Sequence, residues 1–495
     1  MTLIAAIRPE GVPALFGDVL LSHTDPQHPP HVELATVDIA DLESVMPRNS
    51  DRRLSGFQRK TAKINDRLVV AWAGVEFLAY SPIGDLRTAF ADHHPSLQEL
   101  KDFFAERRDQ NLTIIGWLVV ETAHVFRWTS FGLFIGDEND TFVEGSGNNS
   151  LRRFMAEQHL LRAGGATTTD RAIRNLVVLI CQYFGAEVSE GLTVASYFGG
   201  GFEALVFDGQ RFNYINNIVL THWQILVEQD DPTLEPIRRV IWTRHVSDAL
   251  FLRVMQIRHI GHGEYVMERD SRMTLRPIAS KEDVGSVAFD AADVHCAFLY
   301  VPVAGLRLHG CIVEQGTEQL LRVRVDGKDT YLEWGDRFMQ IVHRECVVLL
   351  GASADKLQSM GHPDFTTHEA LSNARALLEA AKRMDPENSY VRKRLADVIT
   401  DQAEAAAPQQ RPGLLAEARA LLLPLGEDPF ALIGLAIIAA MEGSEADCRA
   451  FFNRIATLDE PTIEHLSTVK QLEGFRREEW FAQLVDRWRT GSKPP

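Results

Sequence analysis

The stretch Thr2-Leu3-Ile4-Ala5-Ala6-Ile7-Arg8-Pro9-Glu10-Gly11-Val12-Pro13-Ala14-Leu15-Phe16-Gly17-Asp18 decides how the rest of the chain is read. Thr2 to Ile7 is apolar and extended, Pro9-Glu10-Gly11 is turn chemistry, and Val12 to Phe16 is apolar again, so the segment reads as a β-hairpin. A threonine heads the first strand, and a carboxylate ends the second sixteen positions later. Methionine before a small residue is normally trimmed during synthesis, which would leave Thr2 first, with a free α-amine. A threonine hydroxyl is a poor nucleophile until a base takes its proton. An α-amine with a pKa of about 8 suits that work at neutral pH better than a lysine of about 10.

Further along, Lys60 precedes an apolar run of strand length, Leu68 to Trp72, that leads into Ala73-Gly74. Lys60 and Gly74 are fourteen positions apart, and Gly145-Ser146-Gly147 follows. A lysine ammonium held beside the amine would favour its neutral form, and a paired carboxylate would keep that lysine charged. A glycine N–H at the end of a strand can donate to a developing oxyanion.

This order and spacing resemble the proteasome β-subunit-like branch of the N-terminal nucleophile hydrolases, over roughly the first 215 residues. The resemblance implies a four-layer αββα sandwich in an α+β chain. It also implies a site of Thr2 as nucleophile with its own amine as base, Asp18 pairing Lys60, Gly74 as oxyanion donor and Ser146 relaying the amine's proton. Neither metal nor cofactor is implied. The substrate would be a peptide or protein, and such domains typically assemble into rings. Two positions depart from the family's Asp-x-x-Ser-Gly-Gly: Ser196 stands for the aspartate and Gly199 for the serine, in Ser196-Tyr197-Phe198-Gly199-Gly200-Gly201. The interval from Asp18 to Lys60 is also longer than the family's, which implies an insertion over roughly His23 to Ser50. Lys63 competes for the lysine assignment, and only the fourteen-residue spacing selects Lys60.

Three zones follow from texture. Residues 1–228 mix strands and helices, including helical spacing over Ser150–Arg162 and Asp170–Phe184. The run Gln229-Asp230-Asp231-Pro232 reads as a connector. Residues 237–352 read as β-rich, with a hairpin at Val323–Val325 and Thr330–Trp334 about Asp326-Gly327. Phe298–Val303 and Gln340–Leu350 read as strands, while Leu250–Ile257 fits strand or helix. Residues 364–490 read as helices punctuated by Asp385-Pro386, Asp428-Pro429 and Glu460-Pro461. The last two prolines are 32 residues apart, near the tetratricopeptide period of about 34. The first interval, 43, is stretched by Pro408 to Pro412. This resembles a short tetratricopeptide-like array, which implies a protein partner in its groove; an unrelated helical bundle reads similarly.

The chain has 495 residues, 45% of them apolar and 24% charged, as in a folded protein, and its formal charge is −17. That balance argues against nucleic-acid binding, which needs a concentrated basic face. Five scattered cysteines with no C-x-x-C pair read as reduced thiols, not as disulfides or a zinc site. Leu3 to Ile7 is too short for a secretory core, and Leu432 to Met441 is about half of a membrane span. A cytoplasmic protein without a membrane segment is therefore expected. His259-Ile260-Gly261-His262 spells a nucleotide-binding signature but lacks its context and reads as a loop. Gly199–Gly201 lacks the ending of a phosphate loop, and His93-His94 reads as an exposed helix end. Trp72 reads as core, or as the border of a pocket.

Two functions emerge. The first is a threonine-type amidohydrolase, a proteasome-like peptidase using Thr2. The second is a non-catalytic proteasome-like scaffold whose helical repeats bind a protein partner.

Overall fold

The computed structural model describes residues 2–23, 32–37, 46, 52–108, 110–137, 140–157, 167–227, 232–261, 264–279, 287, 289, 292–303, 306–315, 320–360 and 366–490. Most of the expected insertion between Asp18 and Lys60, and three of the four residues of the expected connector, lie outside them. The chain is mixed α+β with a helical C-terminal region. Its contacts divide it into two compact units: residues 1–224, 235–300 and 311–340 form one, and residues 225–234, 301–310 and 341–495 the other.

In the first unit the strands are β1 (Leu3–Ile7), β2 (Ala14–Asp18), β3 (Leu20–His23), β4 (Arg53–Phe57), β5 (Thr61–Lys63), β6 (Leu68–Gly74), β7 (Leu112–Val119), β8 (Ala123–Thr129), β9 (Gly132–Ile135), β10 (Phe142–Gly145), β11 (Phe202–Phe207) and β12 (Phe212–Tyr214). Between them run α1 (Glu76–Phe90), α2 (Leu97–Ala105), α3 (Asn148–Glu157), α4 (Thr168–Glu190) and the short α5 (Leu192–Ala195). One sheet has the order β10-β1-β2-β11-β12, and a second has β5-β6-β7-β8-β9. The expected N-terminal hairpin forms, with Ile4 opposite Gly17 and Ile7 opposite Ala14.

Side-chain alternation along β1 explains why both of its faces are apolar. Ile4 and Ala6 pack with Leu15, Val69, Ala71, Ile115 and Trp117 in a core between the two sheets. Leu3, Ala5 and Ile7 face the other way, onto Leu176, Ile180 and Phe184 of α4. On the far side of the second sheet, Val70 and Trp72 pack against Ile83 and Leu86 of α1 and Leu100 and Phe104 of α2. The second sheet thus has the first sheet on one face and two helices on the other. Trp72 is core, with its indole N–H donating to the Arg59 carbonyl at 3.2 Å.

Helix α4 starts on a Thr167–Asp170 capping box and ends at Gly191 in the left-handed conformation. Its middle, residues 176–181, is buried all round because a third sheet covers its other side. That sheet consists of β13 (Ile218–Val227), β14 (Pro232–Val246), β15 (Ala249–Gly261), β16 (Glu264–Leu275), β17 (Val294–Val303), β18 (Leu306–Gln315), β19 (Leu321–Asp326) and β20 (Asp329–Trp334). Ile218, Leu220, Ile241, Val254, Cys296 and Phe298 share one core with α4. β13 begins before the boundary expected at residue 228 and pairs parallel with β17, Ile218 opposite Val294. The contacts therefore join what the texture of the sequence separates.

Leu250–Ile257 resolves as strand within β15, and β19 and β20 form the expected hairpin. Two expectations are corrected. His259 to Gly261 is not loop but the end of β15, with His259 opposite Tyr265. Gln340–Leu350 is not strand but part of a helix, α6 (Asp336–Met360). Val342, Cys346, Leu350, Ala354 and Leu357 are buried at steps of three and four with Val347 beside them, whereas Val348 is half exposed. A valine-rich run looks strand-like over six residues, and only the longer window shows the helical period.

The helical region continues through α7 (Thr367–Met384), α8 (Ser389–Ala405), α9 (Arg411–Leu422), α10 (Pro429–Met441), α11 (Glu445–Arg454), α12 (Glu460–Leu466) and α13 (Glu479–Thr490). Two of the three motif prolines mark helix starts. Pro429 and Pro461 sit in the first turns of α10 and α12, and Asp428 and Asp459 cap those helices. Pro386 lies in the connection from α7 to α8. No helix among the described residues is long and apolar enough to cross a membrane.

Candidate functional site

The β1–β2 pairing sets Thr2 beside Asp18, because Thr2 precedes the first residue of one strand and Asp18 is the last of its neighbour. The Thr2 hydroxyl donates to Asp18 Oδ1 at 2.6 Å, and the Leu3 N–H donates to the same oxygen at 2.9 Å. Lys60 Nζ reaches that oxygen at 2.8 Å and also donates to the Leu20 carbonyl. Asp18 Oδ2 accepts from the Gly199 N–H at 2.9 Å. Solvent is nearly excluded: Thr2 is 3% exposed, Lys60 1% and Asp18 0%. Burial pulls the Lys60 pKa down, and the Asp18 charge and hydrogen bond oppose that pull.

Gly145 and Ser146 close over Thr2 from β10. The Ser146 hydroxyl donates to the Thr2 carbonyl at 3.4 Å, and the Gly147 N–H lies 3.5 Å from the same oxygen. Gly145 has φ 97°, and a Cβ there would fall 1.8 Å from the Thr2 carbonyl oxygen. Gly74 ends β6 opposite Leu112. It is tied to the site through its own strand, since the Trp72 N–H donates to the Lys60 carbonyl at 3.0 Å. Hydrogen bonds thus join Thr2, Asp18, Lys60 and Ser146 directly. Lys63 lies apart, in a partly exposed 2.6 Å ion pair with Asp66.

Ser196, at the position of the family's aspartate, is exposed. Two buried acids that no sequence motif singled out support the site from behind. Glu187 accepts from Thr193 Oγ1 at 2.8 Å, from the Gly200 N–H at 3.0 and 3.2 Å, and from the Thr36 hydroxyl. Burial raises its pKa against those hydrogen bonds. Glu203 of β11 pairs with Arg59 at 2.6 Å, accepts from the Thr61 N–H at 3.4 Å and contacts His245 Nε2 at 3.3 Å. Its burial is outweighed by the Arg59 charge and the His245 hydrogen bond, which hold its pKa at about 2. Burial lowers the pKa of His245, whose ring stacks on Tyr214 at 4.4 Å. Arg59 and Thr61 flank Lys60, so this cluster grips the lysine's backbone on both sides. The signal for both acids was an ionisable residue inside an apolar segment, Glu187 in α4 and Glu203 after Phe202.

Chemically, the site joins a hydroxyl, an ammonium and a carboxylate in a buried cluster where each charge has a partner. Among the described residues no cluster of three or more His, Cys, Asp or Glu side chains is placed to hold a metal. No protein-family model matches the chain, and no curated protein matches its sequence.

Proposed function

We propose that the chain is a threonine-type N-terminal nucleophile hydrolase of peptide amides, built on a proteasome β-like αββα sandwich. The observation that carries this reading is the sharing of Asp18 Oδ1 between the Thr2 hydroxyl and Lys60 Nζ. In the proposed reaction the Thr2 α-amine takes the hydroxyl proton while Oγ1 bonds to the substrate carbonyl carbon. The Gly74 N–H stabilises the oxyanion. The C–N bond then breaks, the leaving amine takes the proton, and water hydrolyses the resulting ester. The Lys60 ammonium keeps the Thr2 amine neutral, and Asp18 keeps the ammonium in place. Both the base and access to Oγ1 require removal of whatever precedes Thr2. The test is covalent labelling by a peptide vinyl sulfone in the parent protein and in Thr2→Ala: the parent is labelled and the variant is not.

A second reading, a scaffold that binds a protein partner through tetratricopeptide-like helices, is favoured by a cleft of about 620 Å³ in the helical unit. Lys393, Arg394, Asp397, Phe430, Ile433 and Pro461 are among its lining residues, and Phe430 is 59% exposed. That reading expects no labelling of the parent protein, and partner binding that Thr2→Ala leaves intact.

A further inference from the structure

We propose that Glu187 is a positioning residue of this site: its carboxylate clamps the Gly199–Gly200 turn, whose Gly199 N–H fixes the orientation of the Asp18 carboxylate. The proposal rests on the Thr2–Asp18–Lys60 reading above for its catalytic meaning, but not for its geometry.

The clamp is continuous. Both Glu187 oxygens accept from the Gly200 N–H, and Thr193 and Thr36 supply hydroxyls from two other segments. The adjacent Gly199 N–H donates to Asp18 Oδ2, and the carbonyls of Gly199 and Gly201 accept from the Val19 N–H at 3.4 and 3.1 Å. The turn is thus held to Glu187 on one side and to the end of β2 on the other. With Oδ2 occupied, Oδ1 is left to Thr2, Leu3 and Lys60, which is the orientation the chemistry needs.

The glycine at 199 belongs to the same device. Its φ is 124°, and a Cβ would lie 2.1 Å from Glu187 Oε2. A serine there and the Glu187 clamp exclude one another. The carboxylate occupies the space a side chain at 199 would take, so Gly199 fits a different support for Asp18 rather than a damaged site. A carboxylate that is 0% exposed persists where N–H and hydroxyl donors satisfy it, as here.

The experiment uses the full chain and two readouts. In the first, labelling by a peptide vinyl sulfone is measured against probe concentration, separating the maximal rate from the half-saturating concentration. Glu187→Ala is expected to lower the maximal rate by about 10²-fold with the half-saturating concentration unchanged, as a misplaced catalytic group does. Glu187→Gln, which keeps one carbonyl oxygen for the Gly200 N–H, restores most of that rate. Thr193→Val, a milder loosening of the same carboxyl, lowers it several-fold and serves where Glu187→Ala does not fold. In the second, a double-mutant cycle of Thr193→Val with Asp18→Asn is measured by urea unfolding. The combined effect on the unfolding constant should fall short of the product of the single effects by about threefold or more. Single effects that simply multiply would overturn the clamp, whether or not Thr2 is labelled. A coupled cycle with an unlabelled parent would support the clamp while rejecting the hydrolase reading. Equal losses in the Gln and Ala variants, both in half-saturation, would overturn positioning.

Discussion

Thr2 Oγ1 and Lys60 Nζ converge on one carboxylate oxygen, Asp18 Oδ1, at 2.6 and 2.8 Å, although the two residues lie 58 positions apart in the chain. A hydroxyl at the head of one strand and an ammonium just before another are thereby held on a shared anchor. Asp18 carries the geometry, and Lys60 carries the charge.

The lysine separates chemistry from fold. Lys60→Ala should cut the labelling rate by about 10²–10³-fold, the usual cost of one well-placed electrostatic group. Lys60→Arg should fail as well, because a planar guanidinium cannot replace a compact ammonium in so small a space. Lys63→Ala should change the rate little, since its partner is Asp66 near the surface. Rates for the three variants, with melting temperature as the folding control, check this; loss at Lys63 but not at Lys60 would misassign the base's neighbour.

Breaking the buried pair from one side should be expensive. Asp18→Asn leaves the Lys60 ammonium without a counter-charge and should destabilise the fold by about 3–5 kcal/mol. Adding Lys60→Met to Asp18→Asn should recover part of that loss. Urea unfolding of the two variants measures it; a double variant less stable than Asp18→Asn would contradict the pairing.

The closeness of β10 to Thr2 gives a backbone test. Gly145→Ala places a methyl group against the Thr2 carbonyl in a left-handed conformation, so it should cost about 1–3 kcal/mol and displace Thr2. Gly56→Ala is the control, because no neighbouring atom lies within 4 Å of the position its methyl group would take. Melting temperatures and labelling rates should fall for the first and stay near the parent for the second.

The two buried acids predict opposite pH slopes. The folded pKa of Glu187 is raised above 4.5, so the native state binds its proton more tightly than the unfolded chain does. Stability from this group therefore falls as pH rises from 4.5 through the folded pKa. Glu203 is depressed to about 2, so its contribution is present above pH 4.5 and is lost as pH falls toward 2. Subtracting the melting curve of Glu187→Gln from that of the parent should isolate the first slope, and Glu203→Gln the second. Slopes of the same sign would contradict these environments.

Local chemistry was the legible part of this molecule. Alternation and turn residues in Thr2 to Asp18 located the hairpin, and the fourteen-residue spacing separated Lys60 from Lys63, which the structure places in different surroundings. What stayed hidden depends on distant contacts. Glu203 meets Arg59 across 144 positions, and Thr36 meets Glu187 across 151. The third sheet's packing on α4 likewise joins segments that differ in texture, so composition drew a boundary where the core continues. Gly199 looked like a lost serine because the carboxylate filling its space comes from another element. The helix over Gln340–Leu350 was missed for a local reason: β-branched residues dominated a window too short to show its period.

The central claim is that Thr2 is an N-terminal nucleophile. The most direct measurement is intact-mass and fragment-mass analysis of the native protein before and after treatment with a peptide vinyl sulfone. The account predicts a chain that begins at Thr2 and gains one probe mass on that residue, with no gain in Thr2→Ala. A chain that retains Met1 throughout, or a probe mass that persists in Thr2→Ala, would contradict it.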